Sequence, residues 1–109
     1  MRNFEVENLS TSATCSYSGG PFNVLSFVIT NKSASGVLIN LVQNFANGDV
    51  VNITPYNYAL VSGQAYQETQ RQINLATGES FTLSVMGSAN MVDCIFYTDA
   101  QYDLTKTIS

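Results

Sequence analysis

The sequence predicts an all-β domain, a two-sheet antiparallel sandwich of about eight or nine short strands with little or no helix. Three observations lead there. Apolar and polar residues alternate over short runs, the period-2 pattern of half-buried strands, and the 3.6-residue period of an amphipathic helix is nearly absent. Gly, Pro and Asn punctuate these runs at roughly ten-residue spacing. The 109 residues, 45% of them hydrophobic, fit one domain spanning 1–109, large enough to bury a core without a metal or many disulfides.

Taken in chain order, Phe4 to Leu9 and Ala13 to Tyr17 are the first two strands, and Gly19-Gly20-Pro21 turns into the next. In Phe22 to Thr30, Leu25, Phe27 and Ile29 share a face while Val24 and Val28 lie opposite. A strand apolar on both faces is expected in the middle of a sheet. Val37, Ile39 and Leu41 form the next alternating set. Asn47-Gly48 is the strongest hairpin signal, since both residue types tolerate positive φ. It is expected to pair Gly36 to Phe45 with Asp49 to Thr54, and Pro55 ends that strand because it donates no ladder bond. Between Asn57 and Gln72 the Ala, Gln and Glu content permits a helical turn, but Tyr66 and Thr69 favour strand. Tyr66 to Leu75, polar until Ile73 and Leu75, is predicted as an edge or exposed strand. Ala76-Thr77-Gly78 turns into Ser80 to Met86, where Phe81, Leu83 and Val85 face inward and Ser80, Thr82 and Ser84 outward. Met91 to Thr98 carries Val92, Cys94 and Phe96 on one face, and Tyr102, Leu104 and Ile108 supply the last alternation.

The run Ile73-Asn74-Leu75-Ala76-Thr77-Gly78-Glu79-Ser80-Phe81-Thr82-Leu83-Ser84-Val85 resembles the strand, Gly turn and alternating strand that recur in immunoglobulin-like and fibronectin-like sandwiches. Phe27-Val28-Ile29-Thr30-Asn31-Lys32-Ser33 resembles the strand-then-Asn turn of the same modules. The resemblance covers about a quarter of the chain, and it implies immunoglobulin-like or jelly-roll architecture. The pattern departs from that of antibody domains: there is no Trp, and Cys15 and Cys94 are further apart than an immunoglobulin pair. Because such sandwiches host unrelated functions, the resemblance bears on fold alone.

Composition narrows the function. Only 11% of residues are charged, against roughly 25% in typical soluble domains, and Ser, Thr, Asn and Gln fill the gap. A neutral, hydrogen-bonding surface of this kind suits extracellular β domains and subunits of assemblies. The net charge is −4, with Arg2, Lys32, Arg71 and Lys106 the four basic residues, scattered along the chain. No basic run exists to neutralise phosphates, so nucleic acid is not an expected partner. No apolar run reaches the ~18–20 residues of a membrane span, so no membrane insertion is expected. The start, Met1-Arg2-Asn3-Phe4-Glu5, has no apolar signal-peptide core: with a native Met1 synthesis is expected in the cytoplasm, and in a secreted chain the signal is expected to have been trimmed.

The chain contains no His, which removes the commonest general base and metal ligand and any Ser-His or Cys-His nucleophile pair. Gly19-Gly20 is followed by Pro21 and lacks the Lys and Ser/Thr of a phosphate loop. No enzyme activity and no cofactor are therefore expected. Asp93, Asp99 and Asp103 are the closest acidic group. They are either solvated strand and turn residues or, on the sharper reading, calcium ligands, since hard cations take carboxylate oxygens. Cys15 and Cys94 form either one bridge, worth roughly 4 kcal/mol in the chain-entropy model, or two buried thiols. Tyr56, Asn57 and Tyr58, with Gln64 and Tyr66, are the most suggestive surface group. Exposed Tyr rings beside amides suit protein interfaces and sugar stacking; alternatively, the rings cover the open end of the core. The sequons at Asn8, Asn31 and Asn52 are as many as an Asn-, Ser- and Thr-rich chain shows by chance.

The function these features favour is a non-enzymatic assembly domain. It is expected in a virion put together in the host cytoplasm, as a capsid decoration, spike or tail subunit contacting other protein subunits in a homo-oligomer or particle. The alternative is an extracellular carbohydrate-binding or adhesion module with Tyr56, Tyr58 and Tyr66 as its platform.

Overall fold

The computed structural model describes residues 1–87 and 91–109. Among these are eleven strands and no helix. The strands are β1 (Asn3–Leu9), β2 (Ser12–Ser16), β3 (Phe22–Asn31), β4 (Val37–Asn44), β5 (Val50–Asn52), β6 (Tyr58–Leu60), β7 (Ala65–Glu68), β8 (Ile73–Leu75), β9 (Ser80–Met86), β10 (Val92–Thr98) and β11 (Thr105–Ile108). All pairings are antiparallel. Sheet A runs β1-β10-β3, with β7 and β8 sharing the far edge of β3; sheet B runs β11-β2-β9-β4, with β5 and β6 sharing the far edge of β4. The fold is the expected two-sheet antiparallel sandwich, consistent with immunoglobulin-like architecture.

The strand count exceeds the expectation because two long strands are each edged by two short ones. The expected single strand Tyr66 to Leu75 is broken. Glu68 turns its carboxylate back onto the N–H groups of Gln70 and Arg71, so residues 69–72 form a turn stabilised by a side chain instead of a ladder. The N–H bonds from Gln70 and Arg71 and the Arg71 guanidinium hold the Glu68 carboxyl below the usual carboxylate range. The final alternation also shortens. Only Thr105 to Ile108 pairs, Tyr102 and Ile108 are exposed, and Leu104 alone of that set packs on the core.

The Asn47-Gly48 hairpin forms, with Asn44 opposite Val50 and Val42 opposite Asn52, and its second strand ends at Asn52, two residues short of the expected Thr54. Its turn is longer than two residues. Gly48 N–H donates to Phe45 C=O, Phe45 N–H donates to Asp49 C=O, and Gly48 alone has positive φ, at 93°. This is a three-residue loop ending in a glycine bulge. Asn47 keeps negative φ and caps the loop instead, its Oδ1 accepting from Asp49 N–H at 3.0 Å.

The core lies between the sheets. Phe4, Phe27 and Phe96 enter from sheet A and meet Phe81 from sheet B, with ring centroids 4.6 Å apart for Phe81 and Phe96. The inward set of β3 departs from the expected one. Val24 faces the core together with Phe27 and Ile29, and Leu25 does not. The register with β10 shifts between Tyr97 and Thr98. The resulting bulge inserts an extra residue and reverses the inward phase, so one strand buries positions of opposite parity.

Cys15 and Cys94 are both buried free thiols, not a bridge. Burial pushes each thiol up to about 12 from its ordinary 9.0, because the core disfavours the thiolate. Ellman's reagent at mildly alkaline pH is expected to label neither thiol in the native protein and both after denaturation. Rapid native labelling would contradict this placement. The raised thiols also make stability depend on pH. Unfolded thiols ionise near 9 and folded ones near 12, so stability is lost as pH rises through that window.

Candidate interaction face

The residues singled out in the sequence do not form one site. Asp93 accepts from Asn8 N–H and pairs with Lys32 at 3.0 Å. Asp99 accepts from both the backbone and the side-chain amide of Asn23, at 2.7 and 2.8 Å. Asp103 pairs with Arg2 at 3.4 Å. The three carboxylates thus have separate partners, and among the described residues no three acidic or Cys side chains converge on a point where a metal ion would sit. The three carboxylates that the calcium reading grouped are therefore not brought together.

The tyrosines also separate. Tyr58 of β6 and Tyr66 of β7 meet edge to face at 5.0 Å, and Tyr66 stacks on Phe27 at 6.0 Å. Because β6 belongs to sheet B and β7 to sheet A, the pair closes the side of the sandwich, and both rings are half-buried. Tyr56 points away, 74% exposed. Asn57, at φ 50°, exchanges two hydrogen bonds with Asn40, each 2.7 Å long. Gln64 folds onto its own turn, its Oε1 accepting from Val61 N–H. Tyr56, Tyr58 and Tyr66 therefore present no common platform.

Beside Tyr66 the two sheets part in a cleft of about 380 Å³ that opens between the β4–β5 hairpin and the β7–β8 turn. Phe45 and Tyr66 supply rings, Asn52 and Gln72 amides, and Glu68 with Arg71 an ion pair. Gln43, at the cleft floor, is already engaged, donating to Asn74 C=O and to Glu79.

The feature that sequence reasoning missed is the outer face of sheet B. Register fixes which side chains lie level across it. Met86, Leu38 and Ala59 form one row; Ser12, Ser84 and Asn40 the next. Thr107, Thr14, Thr82, Val42 and Asn52 form a third, and Thr105, Ser16, Ser80, Asn44 and Val50 a fourth. No side chain in these rows is ionisable. The polar ones are tied to each other: Thr14 and Thr82 hydroxyls lie 2.9 Å apart, and Asn44 donates to Ser80 and Thr82 at 3.0 Å. Lys106 of β11 lies in the inward phase, opposite Cys15, with its ammonium 5.9 Å from the centre of the Phe4 ring.

Sheet A differs. Its outer face carries Glu5 and Glu7 on β1 and Asp93 on β10. Charge on β1 and its register shift after Val6 protect that edge from adding another strand. The signal for the neutral face was present in sequence as alternate outward positions, Ser12-x-Thr14-x-Ser16, Leu38-x-Asn40-x-Val42-x-Asn44 and Ser80-x-Thr82-x-Ser84-x-Met86. Only strand order shows that they adjoin. No family model matches the sequence, and no curated protein matches it.

Proposed function

We propose that the chain is a non-enzymatic assembly domain that contacts other protein subunits through the outer face of sheet B, as a virion subunit of the capsid-decoration, spike or tail kind. The observation that supports this is the uninterrupted neutrality of that face. Interface centres are depleted of charge, since burying an unpaired ion is costly, and hydroxyls and amides already bonded to each other are cheap to cover. Leu38, Met86 and Val61, exposed by 36%, 46% and 63%, add apolar area at one end of the face. In a density gradient of particles from infected host cells, the chain is expected in the high-mass fractions. Leu38→Asp combined with Met86→Glu is expected to leave it at the top. Wild-type chain that stays at the top overturns the reading.

The cleft beside Tyr66 favours carbohydrate binding as a second reading, because rings, amides and an ion pair together suit a sugar. A glycan array separates the two. The assembly reading expects silence, whereas binding abolished by Asn52→Ala and Arg71→Ala would replace it with the carbohydrate reading.

A further inference from the structure

We infer that the partner covering sheet B is a second copy of this chain, docked face to face about a two-fold axis through β4, so that the building block is a four-layered dimer. This rests on the assembly reading and names its first partner.

Charge selects the partner. Each copy carries a net charge of −4, so two copies repel unless they meet where neither bears charge. An isologous contact places each patch on itself, and any ion near the dyad meets its own like charge. Sheet A fails that requirement, since Glu5 and Glu7, which have no basic partner within salt-bridge distance among the described residues, would oppose their own copies, whereas Asp93 is already paired with Lys32. Sheet B meets it across all of its rows. A distinct, oppositely charged partner would be drawn to Glu5 and Glu7 on β1 of sheet A and would gain nothing on sheet B.

Size agrees. Sheet B is five strand columns wide. At ~4.8 Å between strands and ~3.4 Å per residue over about seven residues, the face measures roughly 24 by 24 Å. That is on the order of 600 Å² in projection, and side-chain relief raises it towards the ~800 Å² per partner of a standard interface. The axis crosses the strands at the level of Val42, so each column lies over its own copy and the full width is covered, with Leu38 and Val42 of β4 facing outward between the hydroxyl-rich β9 and the short β5 and β6.

Sedimentation equilibrium tests this. The wild-type chain is expected to reach twice its 11.8 kDa mass. Val42→Lys, half-exposed near the proposed axis, is expected to weaken the dimer at least about a hundredfold, since opposed like charges cost several kcal/mol. A mixture of Val42→Lys and Val42→Glu chains is expected to pair again, because their charges then meet as opposites. Val28→Lys on the outer face of sheet A is expected to leave the dimer intact. A wild-type chain that remains monomeric up to its solubility limit overturns self-pairing, and the particle gradient then judges the broader assembly reading separately. A dimer broken by Val28→Lys but not by Val42→Lys overturns the choice of face.

Discussion

Phe96→Ala is expected to destabilise the domain by about 4 kcal/mol, the cost of removing a large ring from a core that cannot fully collapse around the gap. Phe96 is fully buried and touches three aromatic rings drawn from both sheets: Phe4 at 5.9 Å, Phe27 at 5.1 Å and Phe81 at 4.6 Å. The loss combines transfer free energy, residual cavity and three aromatic contacts, each worth about 0.5–1.5 kcal/mol beyond its area. A domain of this length has only about 5–15 kcal/mol in total. The melting temperature is expected to fall by roughly 15–30 °C. Tyr56→Ala provides the contrast. Its ring is solvated, so the change is expected to stay within about 0.5 kcal/mol. Urea melts of the three proteins check both values. A cost for Phe96→Ala no larger than that for Tyr56→Ala would mean that the four phenylalanines do not join the sheets.

The contrast between those two aromatic residues shows which features the sequence made legible. Phe81, Leu83, Val85 and Phe96 lie on strictly alternating strands, and alternation alone assigned them to the core. It failed on β3 because a bulge changes parity without any marker in the local residues: Ser26 is an ordinary strand residue, and only its pairing with Tyr97 followed by Val24 with Thr98 shows the shift. It failed on residues 66–75 because Glu68, one of several polar residues in that run, ends its strand by bonding the backbone two and three residues on. The neutral face was hidden for a different reason. Each outward Ser, Thr or Asn is unremarkable within its own strand. The property belongs to five adjoining columns, and their order, β11-β2-β9-β4-β5, draws on strands from both ends of the chain. The tyrosines were singled out by proximity in sequence, but sheet membership, not sequence distance, decides which rings meet.

Asn31 was read as a turn residue after a strand, and its structural role is larger. Asn31→Ala is expected to cost about 4 kcal/mol even though it removes only a small polar side chain. Asn31 is fully buried at the end of β3 and uses its whole amide. Nδ2 donates to Leu60 C=O at 3.0 Å and Ser35 C=O at 2.8 Å; Oδ1 accepts from Ser33 N–H at 3.0 Å and Ser33 Oγ–H at 2.6 Å. Its backbone adds bonds to Gln64 and Gly63. One side chain therefore ties sheet A to β6 of sheet B and fixes the turn between β3 and β4. Truncation leaves the buried Leu60 carbonyl and Ser33 N–H without partners, at about 1–3 kcal/mol each, in addition to the void. Asn31→Asp separates hydrogen bonding from volume. The shape is kept, but an ionised carboxylate cannot donate to Leu60 and Ser35, and burial further disfavours its charge. The introduced carboxyl is thus expected to titrate higher in the folded state than in the unfolded state. Its folded-state proton contributes stability below the unfolded pKa of about 3.9, and that contribution is lost as pH rises through the folded value. The gap in melting temperature between wild type and Asn31→Asp is therefore expected to be widest near neutrality and to narrow towards about pH 4, where the protonated acid donates to one carbonyl again. Thermal melts across that range decide it. A gap that does not change with pH would show that the Asn31 amide is not donating to the Leu60 and Ser35 carbonyls.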